Sequence, residues 1–388
     1  MRILTVAACA FPTRQGSQVF IRQTAEALSA QGHEVLITAY AGGEEIPCGV
    51  PIARAPRLPG AGRLRAGPSG AKPWLDAALA LKVARTRARF FPDVIHAHNV
   101  EGTAVALAAA GGIPVVYHSH GLLEAELPSY LPRWLRALGA RAGRVVDRAL
   151  PARASVTIAL TETGRAALIA AGADPERVHV VPPGVAVEEV DRNRARALRD
   201  RLCAGGEALV VYAGNADAYQ GLDTVLDATA RLDPALRVRL VFALTTGPRH
   251  LPAQAARRGL GDRVAFLDAG WEETALLLAA CDAAVVPRPD AHGFPMKLLN
   301  VLALGAPAVV HAASAHGLCD GQTALLAEDA AGFARALDRL LRDRALARRI
   351  GTAGRDHARK AHDPSRMASR LERIFAGLVS AERILGPQ

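Results

Sequence analysis

At 388 residues the chain is too long for one ordinary domain and suits two. Half of its residues are hydrophobic, which is enough for two cores, and its net charge of +10 permits an acidic ligand, an anionic membrane surface or nucleic acid. Basic residues are nowhere interleaved with aromatic residues in a run, which argues against a nucleic-acid-binding protein.

The cysteines and the apolar runs indicate the compartment. The five cysteines are far apart and include no Cys-x-x-Cys pair, so we expect reduced thiols in a cytoplasmic protein and no zinc site. The apolar run at the N-terminus is too short for a signal peptide and is predicted to be a buried strand. No run of about eighteen apolar residues is present, so we expect no transmembrane helix.

Short apolar runs alternate with helical patterns in the first half of the chain. We predict strands at residues 3–8, 34–40, 93–98, 114–120, 155–160 and 178–185. We predict helices at residues 17–31, 74–89, 101–111, 131–149 and 162–171. The segment 41–70 is rich in glycine, proline and arginine and is predicted to be a loop.

The same alternation restarts after a Pro-Pro-Gly turn. We predict strands at residues 208–214, 238–244, 264–269, 283–287 and 307–311. We predict helices at residues 221–232, 251–259, 272–280, 296–304, 329–340, 343–361 and 364–381.

Alternating strands and helices favour parallel sheets with right-handed crossovers, and two such series favour an α/β protein with two Rossmann-like domains. We predict an N-terminal domain at 1–183, a C-terminal domain at 184–362, and a final helix at 363–388 that packs back on the first domain. Ligands of open parallel sheets bind beyond the carboxyl ends of the strands, so the cleft between the two domains is the expected site.

The first predicted strand is followed by a single glycine, Gly16, just before a helix. A glycine there lets backbone N–H groups approach a phosphate, although an ordinary loop glycine is an equal alternative. The Gly-x-Gly-x-x-Gly pattern of dinucleotide-binding proteins is absent after this strand, which argues against a dehydrogenase.

Two neighbouring predicted strands end in histidines, His96 and His98 in one and His118 and His120 in the next. Alternate residues of a strand share one face, so His118 and His120 point the same way. They could ligate a metal, but no cysteine or carboxylate lies at a fixed local spacing, so we predict no metal site. We favour contact with substrate hydroxyls or negative charge over a structural role.

The segment 131–153 combines arginines with apolar residues. The arginines that fall near one another on a helical wheel are Arg133, Arg136, Arg141, Arg144 and Arg148. A basic helix that also carries Trp134 is compatible with docking on an anionic membrane surface, and a solvated basic face explains it equally well.

The stretch VVPRPDAHGFPMKLLN at 285–300 runs from a strand end into a helix. The N-terminus of that helix presents free N–H groups and a partial positive charge. Gly293 removes steric bulk, Lys297 adds a full charge, and Arg288 approaches from the strand end. Together they predict a diphosphate site, and Asn300 can bind vicinal hydroxyls such as those of a ribose.

These motifs, in this order, resemble those of the retaining glycosyltransferases of family 4, which have the two-domain GT-B fold. The family's N-terminal loop, helix and second strand are matched by FPTRQGSQVFIRQTAEALSAQGHEV. The segments that follow in the family's order are PDVIHAH, PVVYHSHG, VVPPGV and GLDTVLDA. The family's donor-binding turn and helix are matched by HGFPMKLLNVLALGAPAVV.

The resemblance implies transfer of a sugar from a nucleotide-diphosphate sugar to a hydroxyl acceptor, with retained anomeric configuration and without a metal or other cofactor. It implies that the C-terminal domain binds the donor and the N-terminal domain binds a glycan, lipid-linked or small-molecule acceptor. Gly16 matches a glycine near the donor phosphate, and His118 matches a histidine near the transferred sugar, with His120 as the competing assignment. The alternatives are a non-catalytic nucleotide-sugar-binding protein and a GT-B sugar-nucleotide epimerase.

The chain departs from the family pattern at four charged positions. Many members have an Arg and a Lys where GNADAYQG here has Asn215 and Gln220. Many also carry two glutamates eight positions apart, where this chain has His292 and Asn300.

Neighbouring residues can compensate for these losses. Arg288 and Lys297 can supply the missing positive charge, and the carboxylate of Asp290 can replace that of the glutamate expected at position 292. The expected catalytic residues are therefore His118, His120 and Asp290. The expected donor-binding residues are Gly16, Asn215, Gln220, Arg288, His292, Gly293, Phe294, Lys297 and Asn300.

Overall fold

A computed structural model describes residues 1–58, 67, 69–186, 189–245, 247–248, 250–289 and 293–385. The chain forms two compact units. The first comprises residues 1–184, 292–294 and 364–388, and the second comprises residues 185–291 and 295–363.

The first unit is an α/β sandwich around a parallel sheet. Its strands are β1 (Arg2–Ala10), β2 (Glu34–Tyr40), β3 (Ile52–Arg54), β4 (Val94–His98), β5 (Val115–Ser119), β6 (Val156–Ala159) and β7 (Val178–Val180). Its helices are α1 (Gly16–Ala30), α2 (Lys72–Phe90), α3 (Asn99–Ala109), α4 (Leu123–Glu126), α5 (Arg136–Arg153), α6 (Glu162–Ala170) and, from the end of the chain, α14 (Pro364–Leu385). In the described residues the strand order is β3-β2-β1-β4-β5-β6-β7.

The second unit repeats this architecture. Its strands are β8 (Ala208–Gly214), β9 (Val238–Leu244), β10 (Val264–Asp268), β11 (Ala283–Val286), β12 (Ala308–His311) and β13 (Leu325–Ala327). Its helices are α7 (Arg192–Leu202), α8 (Leu222–Ala230), α9 (Leu251–Arg257), α10 (Trp271–Ala280), α11 (Met296–Ala303), α12 (Ala330–Arg342) and α13 (Arg344–Ala361). The strand order in the part that the structure describes is β10-β9-β8-β11-β12-β13.

The strands of both sheets pair in parallel, as the alternation predicts. Parallel strands are covered by helices on both faces, and β4 and β5 are accordingly buried along their whole length. The helix α14 belongs to the first unit, where it packs on α1. The Nε2 atom of Gln31, just after α1, donates to the carbonyl of Ser365 and to Oγ of Ser369, both at 2.8 Å.

Two local predictions were wrong. The segment 41–70 contains the short edge strand β3, which pairs with Ile37–Ala39 of β2. The helix predicted from residue 131 begins at Arg136, because Pro128 and Pro132 break the preceding segment into short 3-10 turns. In the described residues no helix is long and apolar enough to span a bilayer.

Candidate active site

Lys297 is the centre of a polar cluster in the second unit. It lies in the first turn of α11, and its partly buried Nζ donates to the Tyr212 hydroxyl at 2.5 Å and to Oε1 of Gln220 at 2.6 Å. Desolvation, followed by the nearby charge of Arg288, holds the pKa of Lys297 well below its ordinary value. Both direct partners are neutral oxygens, so an anionic ligand can supply the countercharge that this ammonium group needs.

The turn after β8 supports this lysine. The Tyr212 hydroxyl accepts from Lys297 and donates to the backbone carbonyl of Asn215 at 2.7 Å. Burial raises the pKa of Tyr212 well above its ordinary value, so it remains a neutral phenol. Nδ2 of Asn215 donates to the Tyr219 hydroxyl at 3.2 Å, and the guanidinium of Arg288 lies 5.3 Å from the centroid of the Tyr219 ring.

Four of the predicted donor residues are therefore brought together by two tyrosines that the sequence analysis did not single out. They are Asn215, Gln220, Arg288 and Lys297. Oδ1 of Asn215 is buried without a hydrogen-bond partner in the described part of the chain, so it remains available as an acceptor. The signal that could have identified Tyr212 is its place near the carboxyl end of a strand, two residues before a glycine.

Three of the remaining predicted donor residues are close to the start of α11 along the chain. Asn300 is half-buried one turn after Lys297, and Gly293 and Phe294 come directly before the helix. Asp290 and His292 lie outside the described residues. Gly16 lies in the first unit, where it is the exposed first residue of α1, a helix whose N-terminus has no side-chain cap.

Gly214, the last residue of β8, lets the lysine approach the turn. Its φ is +146°, and a Cβ atom built there would lie 2.7 Å from Nζ of Lys297 and 3.2 Å from the Tyr212 hydroxyl. No side chain fits without moving the ammonium group.

We therefore expect Gly214→Ala to weaken binding of a nucleoside diphosphate by about tenfold or more, although it changes no charge. Titration calorimetry measures the affinity. Gly261→Ala is the matched control, because nothing lies within 4 Å of a Cβ atom at that position. Equal affinity of the two folded variants would contradict this role for Gly214.

Four histidines form a second polar cluster, in the first unit. His96 and His98 lie on one face of β4, and His118 of β5 pairs with His98 in the parallel register. Nε2 of His96 lies 2.9 Å from Nδ1 of His118, and Nδ1 of His98 lies 3.0 Å from Nε2 of His120. The predicted residues His118 and His120 are thus joined to two further histidines.

Apolar rings enclose this histidine cluster. The Phe20 ring of α1 lies 5.1 Å from the rings of His118 and His120, and the Phe375 ring of α14 lies 5.2 Å from that of His96. Desolvation lowers the pKa of His96 and of His120 to about 3. Burial likewise lowers the pKa values of the other two rings, so all four are neutral near pH 7. His120 is the one that is partly exposed.

Family models match most of the chain. Residues 14–189 match the model described as Glycosyltransferase Family 4, and residues 207–343 match the model described as Glycosyl transferases group 1.

Named relatives agree with these matches. The chain is 30% identical over 377 residues to a D-inositol 3-phosphate glycosyltransferase of Stackebrandtia nassauensis, covering 88% of this chain and 82% of the relative. It is 32% identical over 366 residues to the protein of the same name from Frankia alni, covering 84% of this chain and 86% of the relative.

Solved structures show the fold. A sucrose-phosphate synthase from Thermosynechococcus elongatus has a TM-score of 0.84 at 20% identity, covering 98% of this chain and all of that one. HepE from Anabaena, solved in complex with UDP and glucose, has a TM-score of 0.77 at 20% identity, covering 97% of this chain and 100% of that one. The chain therefore has the GT-B fold and belongs to glycosyltransferase family 4.

Proposed function

We propose that the protein is a retaining glycosyltransferase that moves a sugar from a nucleotide-diphosphate sugar to a hydroxyl acceptor. The observation that carries this proposal is the ammonium group of Lys297, held between the neutral oxygens of Tyr212 and Gln220 with Arg288 nearby. A diphosphate would stabilise a partly desolvated cation of this kind, because it supplies the opposite charge and accepts charge-assisted hydrogen bonds.

The same contacts suggest what replaces the arginine and the lysine that many family members carry in the 214–221 turn. Gln220 stands where many family members have a lysine, and here its side-chain oxygen holds Lys297 at that turn. We infer that Lys297 reaches across from α11 to provide the positive charge. Asn300, one turn further along α11, then binds the ribose.

The proposed transfer needs no nucleophile from the protein. The bond from the anomeric carbon to the donor phosphate oxygen breaks as the acceptor oxygen bonds to the same face of that carbon. The acceptor proton passes to the departing phosphate oxygen. The enzyme contributes by positioning both substrates and by stabilising the negative charge of the leaving diphosphate, which is the role of Lys297 and Arg288. We propose no metal in this step.

The first unit is the proposed acceptor-binding unit. Family resemblance assigns Gly16 to a donor phosphate and His118 to the transferred sugar, and these roles remain predictions. We add that His120 is the better candidate for direct ligand contact, because its side chain is partly exposed whereas that of His118 is fully buried. Since the relatives above are named for D-inositol 3-phosphate, that compound is the first acceptor to test.

A thermal-shift panel of UDP, GDP, ADP and TDP with their sugars tests the donor. We expect one base to stabilise the protein clearly over the others, and an acceptor screen with that donor, run with and without EDTA, should then release free nucleoside diphosphate in both conditions. Binding without release in the presence of any acceptor would instead favour a non-catalytic nucleotide-sugar-binding protein.

We further propose that α5 docks the protein peripherally at the inner face of an anionic membrane. The side chain of Trp134 is 79% exposed, and Leu138 and Val145 are also exposed beside the arginines of this segment. Apolar side chains next to basic ones are what an interfacial helix requires.

Changing Arg141 and Arg148 to glutamate should therefore reduce the affinity for phosphatidylglycerol vesicles, measured by cosedimentation, by about 30-fold or more, at about 1 kcal/mol for each arginine near the surface. Changing the exposed Arg348 and Arg349 of α13 to glutamate is the charge-matched control. Equal loss in both double variants would indicate a net-charge effect and no specific docking helix.

A further inference from the structure

The histidine cluster of the first unit contains a convergent set of metal ligands. His96 and His98 project from the same face of β4, and His118 stands beside them on β5. One ring nitrogen from each of these residues lies within 4.8 Å of the others. All three side chains are at most 1% exposed, so the strands and not the solvent fix their positions.

Each of these rings also has unused hydrogen-bonding capacity. Nδ1 of His96, Nε2 of His98 and Nε2 of His118 are buried without a hydrogen-bond partner among the described residues. Buried polar atoms are nearly always paired, so each ring has one nitrogen that the described part of the chain does not satisfy. In His96 and His118 this outer nitrogen can hold the ring proton, which leaves the facing nitrogen to bind an ion.

The donor set indicates which kind of ion fits. Imidazole nitrogen suits zinc, copper, nickel and iron, whereas magnesium and calcium require oxygen ligands, and this group consists of histidines alone. Two nitrogens on a tetrahedral zinc ion lie about 3.3 Å apart, given bonds of about 2.0–2.1 Å. The observed limit of 4.8 Å exceeds this spacing by about 1.5 Å, so the proposed site requires the three rings to move closer together when the ion binds.

The protonation balance also permits binding. A neutral imidazole carries one proton, which can reside on either nitrogen. In the His96–His118 pair, one ring donates a proton to the facing nitrogen of the other. When an ion binds these two facing nitrogens, that proton moves to the outer nitrogen of the ring that donated it. Both rings therefore stay neutral, and no proton is released. Binding of the ion breaks the hydrogen bond between His96 and His118.

We propose that His96, His98 and His118 form a binding site for one divalent transition-metal ion of the zinc class. The ion takes no part in sugar transfer. When bound, it occupies His118 and so makes that histidine unavailable to a substrate.

Equilibrium dialysis of the metal-free full chain against Zn²⁺ and Co²⁺, followed by elemental analysis, tests this site. We expect one ion per chain and a visible Co²⁺ spectrum without a sulfur-to-metal charge-transfer band, which separates the histidines from the five free cysteines. His96→Gln and His98→Gln should each weaken binding by more than about 100-fold, which exceeds the usual cost of losing an outer-sphere partner.

His179→Gln removes an exposed histidine of the same unit and should leave binding unchanged. Circular dichroism of each variant shows whether it is folded, and binding is compared only among folded variants. Because the two glutamine variants are independent, misfolding of one leaves the other as the test. Unchanged affinity in a folded glutamine variant, a thiolate spectrum, or no bound ion in the wild-type chain would each overturn the proposal.

Discussion

Replacing Lys297 with methionine should weaken binding of the nucleotide-diphosphate donor by about 100-fold, because the variant keeps the length of the side chain and removes its charge. In the native protein that charge lies between the Tyr212 hydroxyl and Oε1 of Gln220, where the proposed diphosphate would supply the opposite charge. Lys360→Met, on the exposed face of α13, is the control and should bind normally. Titration calorimetry with the preferred nucleoside diphosphate measures both.

We also expect the affinity for the nucleoside diphosphate to depend on pH. Burial and Arg288 lower the pKa of Lys297 in the free protein, and a bound diphosphate raises it again by favouring the charged ammonium form. Binding should therefore take up protons at pH values between the lowered pKa of the free protein and the higher pKa of the complex, and affinity should fall as pH rises through the lowered pKa. Calorimetry in buffers of different ionisation enthalpy detects this uptake, which Lys297→Met should abolish. Normal binding by that variant would rule out the assignment of the donor site.

Acidification should destabilise the first unit through its four histidines. In the unfolded chain each imidazole binds a proton below its ordinary pKa of about 6.5, whereas the pKa values of His96 and His120 in the folded protein are about 3. The unfolded state therefore binds more protons in this range, and stability falls as pH drops below 6.5. Between pH 7 and pH 5 the loss is about 2 kcal/mol for each of His96 and His120, which is large beside a total of about 5–15 kcal/mol.

Urea unfolding at the two pH values, in EDTA, measures this loss. Because one of the rings is absent, His96→Gln should reduce the difference between pH 7 and pH 5 by about 2 kcal/mol, whatever it does to the stability at pH 7. His179→Gln removes an exposed histidine and should leave the difference unchanged. A wild-type free energy of unfolding that is equal at pH 7 and pH 5 would contradict neutral, buried rings.

The regular alternation of the sequence predicted the strands of both sheets except the short edge strands β3 and β13, because buried parallel strands are continuous apolar runs. The strand β3 was missed since three residues within a segment rich in glycine and proline carry no periodic signal. The start of α5 was misplaced because its arginines continue upstream past Pro132, which ends the helical pattern sterically.

The candidate sites could be predicted only in part. Lys297 and Arg288 stand out in the sequence as cations at a strand-to-helix turn. The partners that fix Lys297, however, come from β8 and the turn after it, about 80 residues away, and only the fold brings them together. The apolar pattern places Tyr212 inside the predicted strand 208–214 and indicates no further role for it.

All four histidines were noted in the sequence at the ends of two strands, but a role was predicted only for His118 and His120. His96 and His98 repeat the spacing of His118 and His120, and the parallel register that places His98 beside His118 depends on which strands are neighbours. Spacing within one strand does not give that order, so the cluster of four was visible only in the structure.

Proton NMR of the reaction product is the decisive test of retaining transfer from a nucleotide-diphosphate sugar. With the preferred donor and an active acceptor, we expect one released nucleoside diphosphate for each glycoside formed. We also expect the glycoside to have the same anomeric configuration as the donor. A product of inverted configuration, or a donor isomerised without transfer, would contradict it.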